Sequence, residues 1–363
     1  MYLKSIYINN FKNFKEREFS FSERLNCIIG PNGIGKTNLL DSIFYLSFCK
    51  SSFNNIDTSN INFDEKYFSL LGMYVKSNAN DDTFYCALSK DKKKVFKKND
   101  KQYERLSDHI GQVPLIMITP NDTLLINGGA DERRKFFDAF ISQFDNDYLV
   151  TVINFNKLLT ERNKLLKNET DVFDADLFSV LNDRMAYFGE KIHKKRKEVL
   201  ENILPIFQKY YNKISDNETV TIIYESQLNK NNLLSMFENS FERDTFLGYT
   251  SSGTHRDDYT FMMNENLVRN FGSQGQKKTF LLALKFTQQE YTYTKTGIKP
   301  ILLLDDLFDK LDKVRVQQII SVVSSELFGQ IFISDTDKSN LSTLFPKESA
   351  TIIDLATLKK NRP

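Results

Sequence analysis

The segment that decides the fold is Gly30-Pro31-Asn32-Gly33-Ile34-Gly35-Lys36-Thr37. It fits the pattern G-x-x-x-x-G-K-[ST], in which glycines let backbone N–H groups face a phosphate and the next helix adds a partial positive charge. The apolar residues before it are typical of a buried strand, and the apolar spacing after Asn38 is typical of a helix. A glycine-rich loop between a strand and a helix predicts the binding of ATP or GTP.

The residues of this phosphate loop have separate predicted roles. We expect Lys36 to reach the β- and γ-phosphates, and Thr37 to supply its hydroxyl to Mg²⁺. The six residues from Gly30 to Gly35 form the backbone cradle around the phosphates. The alternative interpretation is a glycine turn that only precedes a helix. The predicted cofactors are therefore ATP and Mg²⁺, held by residues 30–37.

A phosphate loop also needs an acid at the end of a buried strand to hold the metal ion. The run Ile301-Leu302-Leu303-Leu304 is followed by Asp305 and Asp306, which supply it. We predict that Asp305 holds Mg²⁺ or its water and that Asp306 orients the attacking water, which makes both candidate catalytic residues. The alternative is that two acids simply end a strand.

The loop and the acids stand near opposite ends of the chain, which indicates an insertion between them. From about residue 128 the apolar spacing is mainly that of helices. The sequence therefore predicts an α/β nucleotide domain made of residues 1–127 and 246–363, split by a largely helical arm at 128–245. Pro205 lies in the clearest helical stretch and is expected to kink or divide it.

Composition excludes several classes of protein. The formal net charge is +2, with 40% hydrophobic and 26% charged residues, as in ordinary globular proteins. Three cysteines and three histidines without metal-ligand spacing make a zinc site or a disulfide scaffold unexpected. We expect no membrane span and no secretory signal, and hence a cytoplasmic protein. The 31 Phe and 16 Tyr are assigned mainly to the core.

A second glycine motif is Phe271-Gly272-Ser273-Gln274-Gly275-Gln276, which opens a predicted helix. A serine and a free helix N-terminus can bind an anion, although a helix cap is the default interpretation. The segment His255-Arg256-Asp257-Asp258 is interpreted as a head-stabilising ion pair rather than a metal site or a catalytic triad. Arg133 and Arg134 are expected to brace the head against the arm rather than to bind phosphate.

Taken together, these motifs resemble the RecF family of bacterial recombination and repair ATPases. The segments that carry the resemblance are NNFKNF (9–14), GKTNLLDSI (35–43), ADERRKFFDAF (130–140), GTHRDDY (253–259), SQGQKKTFLLALK (273–285) and ILLLDDLFDKLD (301–312). The resemblance implies an ABC-type P-loop ATPase head, with a mixed sheet and helices, split by the arm.

The resemblance also implies a homodimer on ATP binding, in which each nucleotide lies between the phosphate loop of one subunit and the signature serine of the other. The residues expected to act across the dimer are Ser273, Gly275, Gln276 and Asp312. The chain departs from the family at Ile34 and Asp41, where glutamine and glutamate are usual. The segment Ser334-Asp335-Thr336 lacks the histidine of ABC transporters.

A run of lysines suggests where DNA binds. Residues 90–101 hold seven lysines against two aspartates, and such a cluster neutralises phosphates, although lysine runs are usually only solvated faces. The second basic cluster, residues 193–197, is placed on the polar side of the long helix. With the resemblance, the first cluster is the better candidate, at Lys92, Lys93, Lys94, Lys97 and Lys98.

The predicted function is that of an ATP-dependent DNA-binding protein in DNA replication, recombinational gap repair and SOS induction. The resemblance implies a weak ATPase whose hydrolysis is coupled to DNA binding and dimer release. Its expected partners are single-stranded, gapped or duplex DNA, together with RecR and RecO. The alternatives are a non-DNA ABC-type regulatory ATPase and the ATP-binding subunit of a transporter.

Overall fold

A computed structural model describes residues 1–76, 81–167, 175–215, 218–306, 313–324, 328–336 and 350–360. The chain forms two compact units, one made of Met1–Asp122 with Leu281–Pro363 and the other of Thr123–Phe280. These divisions differ from those placed after residues 127 and 245 on the sequence. The two units are defined by compactness and the predicted domains by their expected function, so the predicted domain boundaries stay a prediction.

The strands and helices are numbered in chain order. The strands are β1 (Tyr2–Phe11), β2 (Phe14–Ser20), β3 (Leu25–Ile29), β4 (Tyr67–Val75), β5 (Asp82–Ser89), β6 (Lys92–Lys98), β7 (Lys101–Gln102), β8 (Leu115–Ile118), β9 (Val220–Glu225), β10 (Asp258–Met263), β11 (Asn266–Leu267), β12 (Ile301–Leu304), β13 (Ile331–Asp335) and β14 (Ala350–Asp354). The helices are α1 (Lys36–Phe48), α2 (Thr123–Asn127), α3 (Ala130–Ser142), α4 (Asn146–Lys167), α5 (Ala175–Ile214), α6 (Leu233–Asn239), α7 (Phe241–Leu247), α8 (Val268–Phe271), α9 (Gln274–Thr296), α10 (Lys313–Val323) and α11 (Leu355–Lys360).

The first unit contains two sheets. One is antiparallel, in the order β2-β1-β4-β5-β6-β7, and the other is parallel, in the order β14-β3-β13-β12-β8. Strands of a parallel sheet are covered on both faces, which explains why β3, β12 and β13 are buried at every residue. The parallel register brings the ends of β3, β12 and β13 to one edge of the sheet, the usual place for a ligand.

The core of the first unit joins helix α1 to the antiparallel sheet. Phe11, Tyr45 and Phe68 are fully buried and meet edge to face, with ring centroids 5.1 to 5.8 Å apart. Edge-to-face contacts of this kind add stability beyond the area buried. Helix α1, which follows the phosphate loop, is therefore packed firmly against the antiparallel sheet.

The second unit is mainly helical but also contains a sheet of order β11-β10-β9. Strand β9 lies within the stretch expected to be helical, although its sequence Val-Thr-Ile-Ile-Tyr-Glu has the β-branched residues and burial alternation of a strand. Helix α5 continues through Pro205 rather than being divided there.

The predicted mixed α/β fold is confirmed. The helix predicted after the second glycine motif is α9, and the strand predicted before Asp305 is β12, while the lysine run forms strand β6. Within the described residues, no helix combines the length and the apolar character needed to cross a membrane.

Candidate nucleotide site

The phosphate loop joins β3 to α1 with a backbone that glycine favours. Gly30, Gly33 and Gly35 have φ angles of 147°, 76° and 119°. Gly35 is the N-cap of α1, and among the described residues no side chain caps this helix. The first N–H groups of the helix are therefore available to an anion.

Asn13 holds the loop from the turn between β1 and β2. Its Nδ2 donates to the carbonyl of Ile34 at 2.9 Å, and its Oδ1 accepts from Asn38 Nδ2 at 2.8 Å. A Cβ atom on Gly35 would lie 2.5 Å from Asn13 Nδ2, so only glycine fits there. Asn13 lies in the segment NNFKNF, which served only to show the family resemblance. Its contact with the phosphate loop was not predicted.

Lys36 lies inside the curve of the loop and is only 7% exposed. Its Nζ donates to the carbonyls of Gly30 at 2.8 Å and Pro31 at 3.3 Å. A lysine ammonium has three donors, so the loop positions Lys36 and leaves one donor for a phosphate.

Thr37 and Asp305 are brought together although they lie far apart in the sequence. The Thr37 hydroxyl donates to the Asp305 carboxylate, with Oγ1 2.9 Å from Oδ2 and 3.1 Å from Oδ1. The Asp305 N–H donates to the Ile118 carbonyl, which fixes the end of β12 against β8. The two predicted metal ligands therefore lie side by side.

Ser334, at the carboxyl end of β13, joins the two predicted catalytic acids. Its hydroxyl donates to Asp305 Oδ1 at 2.7 Å and accepts from the Asp306 N–H at 3.0 Å. Asp306 has a φ of 48°, which is unusual for a residue other than glycine, and its side chain is exposed. The sequence had marked Ser334 only by the absence of a histidine nearby.

Burial raises the pKa of Asp305, the neighbouring Asp306 raises it further, and hydrogen bonds from Ser334 and Thr37 oppose the rise. A carboxylate disfavoured in this way is stabilised by a nearby cation. Carboxylate and hydroxyl oxygens are ligands that Mg²⁺ prefers, and Mg²⁺ usually takes one or two of them from the protein and the rest from phosphates and water. Thr37 and Asp305 fit this pattern.

The loop and the acids surround an open depression of about 190 Å³. Its walls are formed by Asn32, Gly33, Gly35, Lys36, Thr37, Asn38, Asp305 and Asp306. Five of the predicted loop residues and both predicted acids thus face one space, which includes Lys36 and Asp305.

The second glycine motif caps helix α9. Ser273 Oγ accepts from the Gln276 N–H at 3.2 Å, and Gln276 Oε1 accepts from the Ser273 N–H at 2.8 Å. This reciprocal pair is a capping box. The Gln276 amide also donates to Glu218 Oε1 at 2.8 Å. Ser273 remains exposed, next to the partly exposed Gly275, while the predicted Asp312 lies outside the described residues.

The lysines of β6 point to opposite faces of the sheet, because side chains alternate along a strand. Lys94 and Lys98 lie on the same face as the buried Phe96. Lys94 donates to Asp57 at 2.5 Å and to the Cys49 carbonyl at 2.6 Å, and its side chain is 13% exposed. Lys94 therefore serves the internal structure, and its place among the DNA candidates is corrected here.

The other lysines differ in how far they are engaged. Lys98 donates to Gln112 Oε1 at 3.0 Å and lies 3.4 Å from Asp82. Lys92 and Lys93 are exposed, and Lys97 lies on the outer face with partial exposure. Fewer of these lysines are therefore open to a ligand than the lysine run suggested.

The second basic cluster was expected on the polar side of the long helix, but one of its residues is buried. Arg196 of α5 is 4% exposed and pairs with Asp138 and Asp257, each at 2.9 Å. Arg133 forms a bidentate pair with Asp258, at 2.7 and 2.9 Å. The ion-pair interpretation of residues 255–258 thus agrees with the contacts, but these lie within the second unit rather than the predicted head.

Comparison with known proteins decides the family. Residues 2–345 match the family model described as RecF/RecN/SMC N terminal domain. The chain is 47% identical over 350 residues to the DNA replication and repair protein RecF of Phocaeicola vulgatus, covering 96% of this chain and 94% of that protein. The chain belongs to the RecF family. The RecF of Flavobacterium johnsoniae is 45% identical and covers 93% of this chain and 94% of its own.

Solved structures agree with the RecF assignment. The recombination mediator protein RecF of the RecFOR pathway, in its RecF-ATP structure, has a TM-score of 0.87 and 32% identity, covering 93% of each chain. An Smc head bound to the C-winged helix domain of ScpA has a TM-score of 0.59 at 15% identity, covering 98% and 94%, which shows a shared fold. The predicted ABC-type head is confirmed, and none of these relatives favours a transporter subunit or a non-DNA regulator.

Proposed function

We propose that this RecF-family chain is an ATP-dependent DNA-binding protein of DNA replication and repair. The observation that carries the ATP-dependent part is the contact between Thr37 and Asp305, because it places a hydroxyl and a carboxylate beside Lys36 at the end of the phosphate loop. The DNA part is supported by the relatives named as DNA replication and repair proteins. The proposal includes recombinational gap repair, SOS induction and a cytoplasmic location, where the protein has access to the chromosome.

ATP binds in the depression formed by residues 30–37 and the two acids. The loop N–H groups and Lys36 hold the phosphates, and Thr37 and Asp305 hold Mg²⁺. Mg²⁺ held by Thr37 and Asp305 would neutralise charge on the phosphates during transfer of the γ-phosphoryl group to water, with ADP as the leaving group. Asp306, exposed at the depression, orients the attacking water, and Ser334 holds both acids in position. The predicted activity is slow hydrolysis, coupled to DNA binding and to release of the dimer.

Dimerisation on ATP uses the exposed start of α9. The capping box occupies an acceptor position of Ser273 Oγ but leaves its O–H donor free. That donor, with Gly275 and Gln276, is available to the γ-phosphate on a second copy of the chain. Asp312 belongs to the same proposal. We infer RecR and RecO as partners, since a solved relative acts in the RecFOR pathway.

DNA contacts the lysines that face outward. Lys92, Lys93 and Lys97 fit this role, whereas Lys94 is held by Asp57 and Lys98 by Gln112 and Asp82. Phosphate contacts of this kind bind single-stranded, gapped and duplex DNA alike, and their strength falls steeply with salt.

The proposal is tested by filter binding of DNA to the full chain, with and without ATP. We expect ATP to strengthen binding, and Lys93→Ala and Lys97→Ala to weaken it, each lowering the salt slope by about one. The exposed Lys230→Ala in the second unit is the matched control. DNA binding that ignores both ATP and the outward lysines contradicts the proposal.

A further inference from the structure

The outer face of the antiparallel sheet carries apolar and aromatic side chains. An antiparallel sheet that covers a core on one face usually shows polar residues on the other. Here Tyr67, Leu71 and Met73 of β4 are 46%, 40% and 36% exposed. Tyr7 of β1 and Tyr85 of β5 lie on the same face and are partly exposed. We call these five residues the tyrosine face.

The strand register makes the tyrosine face continuous. Tyr7 pairs with Leu71, Leu71 with Tyr85, and Tyr85 with Lys97. Neighbouring strands are about 4.8 Å apart, so the two tyrosines stand roughly 10 Å apart with a leucine between them. An exposed apolar strip of this kind marks a binding surface more often than scattered apolar residues do.

Two of the three tyrosines, Tyr7 and Tyr67, are anchored at their hydroxyl groups. The Tyr7 hydroxyl donates to Glu16 Oε1 at 2.5 Å, and Asn9 Nδ2 donates to the Tyr67 hydroxyl at 3.4 Å. A ring held in this way loses little conformational freedom when a ligand binds, which favours affinity.

The charge beside the tyrosine face changes from negative at β2 to positive at β6. Glu18 pairs with Tyr7 at one end, and Lys97 pairs with Tyr85 at the other. The Lys97 ammonium lies 5.8 Å from the Tyr85 ring centroid. Tyr67 pairs with Ser89 and Ser89 with Lys92, so the exposed Lys92 lies on the same face. A polyanion is therefore attracted at the β6 end and repelled at the β2 end.

We propose that the tyrosine face binds unpaired bases of single-stranded DNA by stacking, while Lys92 and Lys97 contact the adjoining phosphates. Aromatic rings beside a basic track recognise single strands without sequence preference. Base pairs in a duplex stack on one another and offer no free faces, so the tyrosine face selects unpaired bases. This inference rests on the proposed function and adds the surface and the side chains that hold the unpaired bases.

The chain has no tryptophan, so one introduced residue reports on this surface alone. In Tyr85→Trp, we expect short oligo(dT) to quench the fluorescence, because a base stacks on the indole. An abasic oligonucleotide of the same length keeps the phosphates and should leave the fluorescence nearly unchanged. Tyr187→Trp is the control, because Tyr187 is 56% exposed and has the Lys191 ammonium 4.3 Å from its ring centroid, but lies on α5.

Affinity measurements complete the test. Tyr67→Ala and Tyr85→Ala should each weaken oligo(dT) binding about 5- to 100-fold, the effect of losing one stacked base. Binding of the abasic oligonucleotide and the ATPase rate should not change. Tyr85→Phe keeps the ring and should bind oligo(dT) like the unchanged chain, which separates stacking from a folding defect.

Three outcomes would overturn the stacking surface. They are equal quenching by the abasic oligonucleotide, unchanged oligo(dT) affinity in both alanine variants, and loss of self-association in Tyr85→Ala without DNA, which would assign the face to a second copy of the chain. If duplex binding still depends on ATP in any of these cases, the stacking surface fails and the proposed function stands. If the unchanged chain binds no DNA, both fail.

Discussion

Two helix starts in this molecule look alike in sequence and differ in structure. The phosphate loop before α1 and the motif before α9 each contain glycine and a hydroxyl residue. At α1 the N-cap is Gly35 and no described side chain caps the helix. At α9 the reciprocal bonds between Ser273 and Gln276 satisfy two N–H groups at the helix start.

The start of α1 can bind an anion by itself, whereas the start of α9 can only add a contact to an anion that is bound elsewhere. The loop before α1 offers free N–H groups, the Lys36 ammonium and the Asp305 carboxylate, so it has what a nucleotide requires. At the start of α9 the N–H groups of Ser273 and Gln276 are bonded within the capping box, so fewer N–H groups remain there beside the Ser273 O–H. This helix start therefore suits a ligand already bound elsewhere, such as the nucleotide of a second copy.

The largest expected effect is at the loop. Lys36→Ala removes a charged donor aimed at the phosphates, so we expect ATP binding to weaken at least about 100-fold and nucleotide-dependent behaviour to disappear. Calorimetric titration with ATP and an ATPase assay measure this, with the exposed Lys4→Ala as control. Full ATPase activity in Lys36→Ala would sink the phosphate-loop assignment.

A large but different effect is expected at α9. Ser273→Arg places a bulky cation where the second copy approaches, so ATP should still bind the monomer while the ATP-induced dimer is lost. Light scattering reads the dimer. Ser235→Arg is the control, because Ser235 is an exposed serine in the first turn of α6. A dimer that persists in Ser273→Arg shows that this serine does not act across the dimer.

A moderate effect is expected at Ser334. Ser334→Ala removes the hydrogen bonds to Asp305 and to the Asp306 N–H, so kcat should fall about tenfold while ATP affinity changes less. Ser334→Thr restores the hydroxyl and should recover most of the rate. Ser47→Ala, which removes another buried serine hydroxyl, controls for a general packing defect. Equal losses in both alanine variants would leave Ser334 without a positioning role.

The smallest effect tests the capping box itself. Gln276→Ala leaves the Ser273 N–H without its acceptor, so the free energy of unfolding should fall by about 1 kcal/mol. Chemical denaturation measures this, with the exposed Gln274→Ala as the comparison. The ATP-induced dimer should weaken only a fewfold, and an effect as large as that of Ser273→Arg would mean that Gln276 contacts the ligand directly.

Much of the nucleotide site could be predicted because its residues are adjacent in sequence or follow a buried strand. The loop pattern and the run before Asp305 are local signals, and a parallel sheet brings such strand ends to one edge. Ser334 and Asn13 were missed as site residues because a lone serine or asparagine has no local signature. Only the pairing of β13 with β12, and the turn from β1 to β2, place them at the site.

The sequence by itself determined the family, the phosphate loop and the residues available for its chemistry, because these depend on residue identity and short spacing. Tertiary structure decided which side chains reach a ligand. Alternation along β6 separates Lys97 on the outer face from Lys98, which lies on the face of the buried Phe96 beside Asp82, because neighbouring side chains on a strand face opposite ways. The same alternation leaves Tyr7, Tyr67 and Tyr85 outside the core to which composition had assigned them.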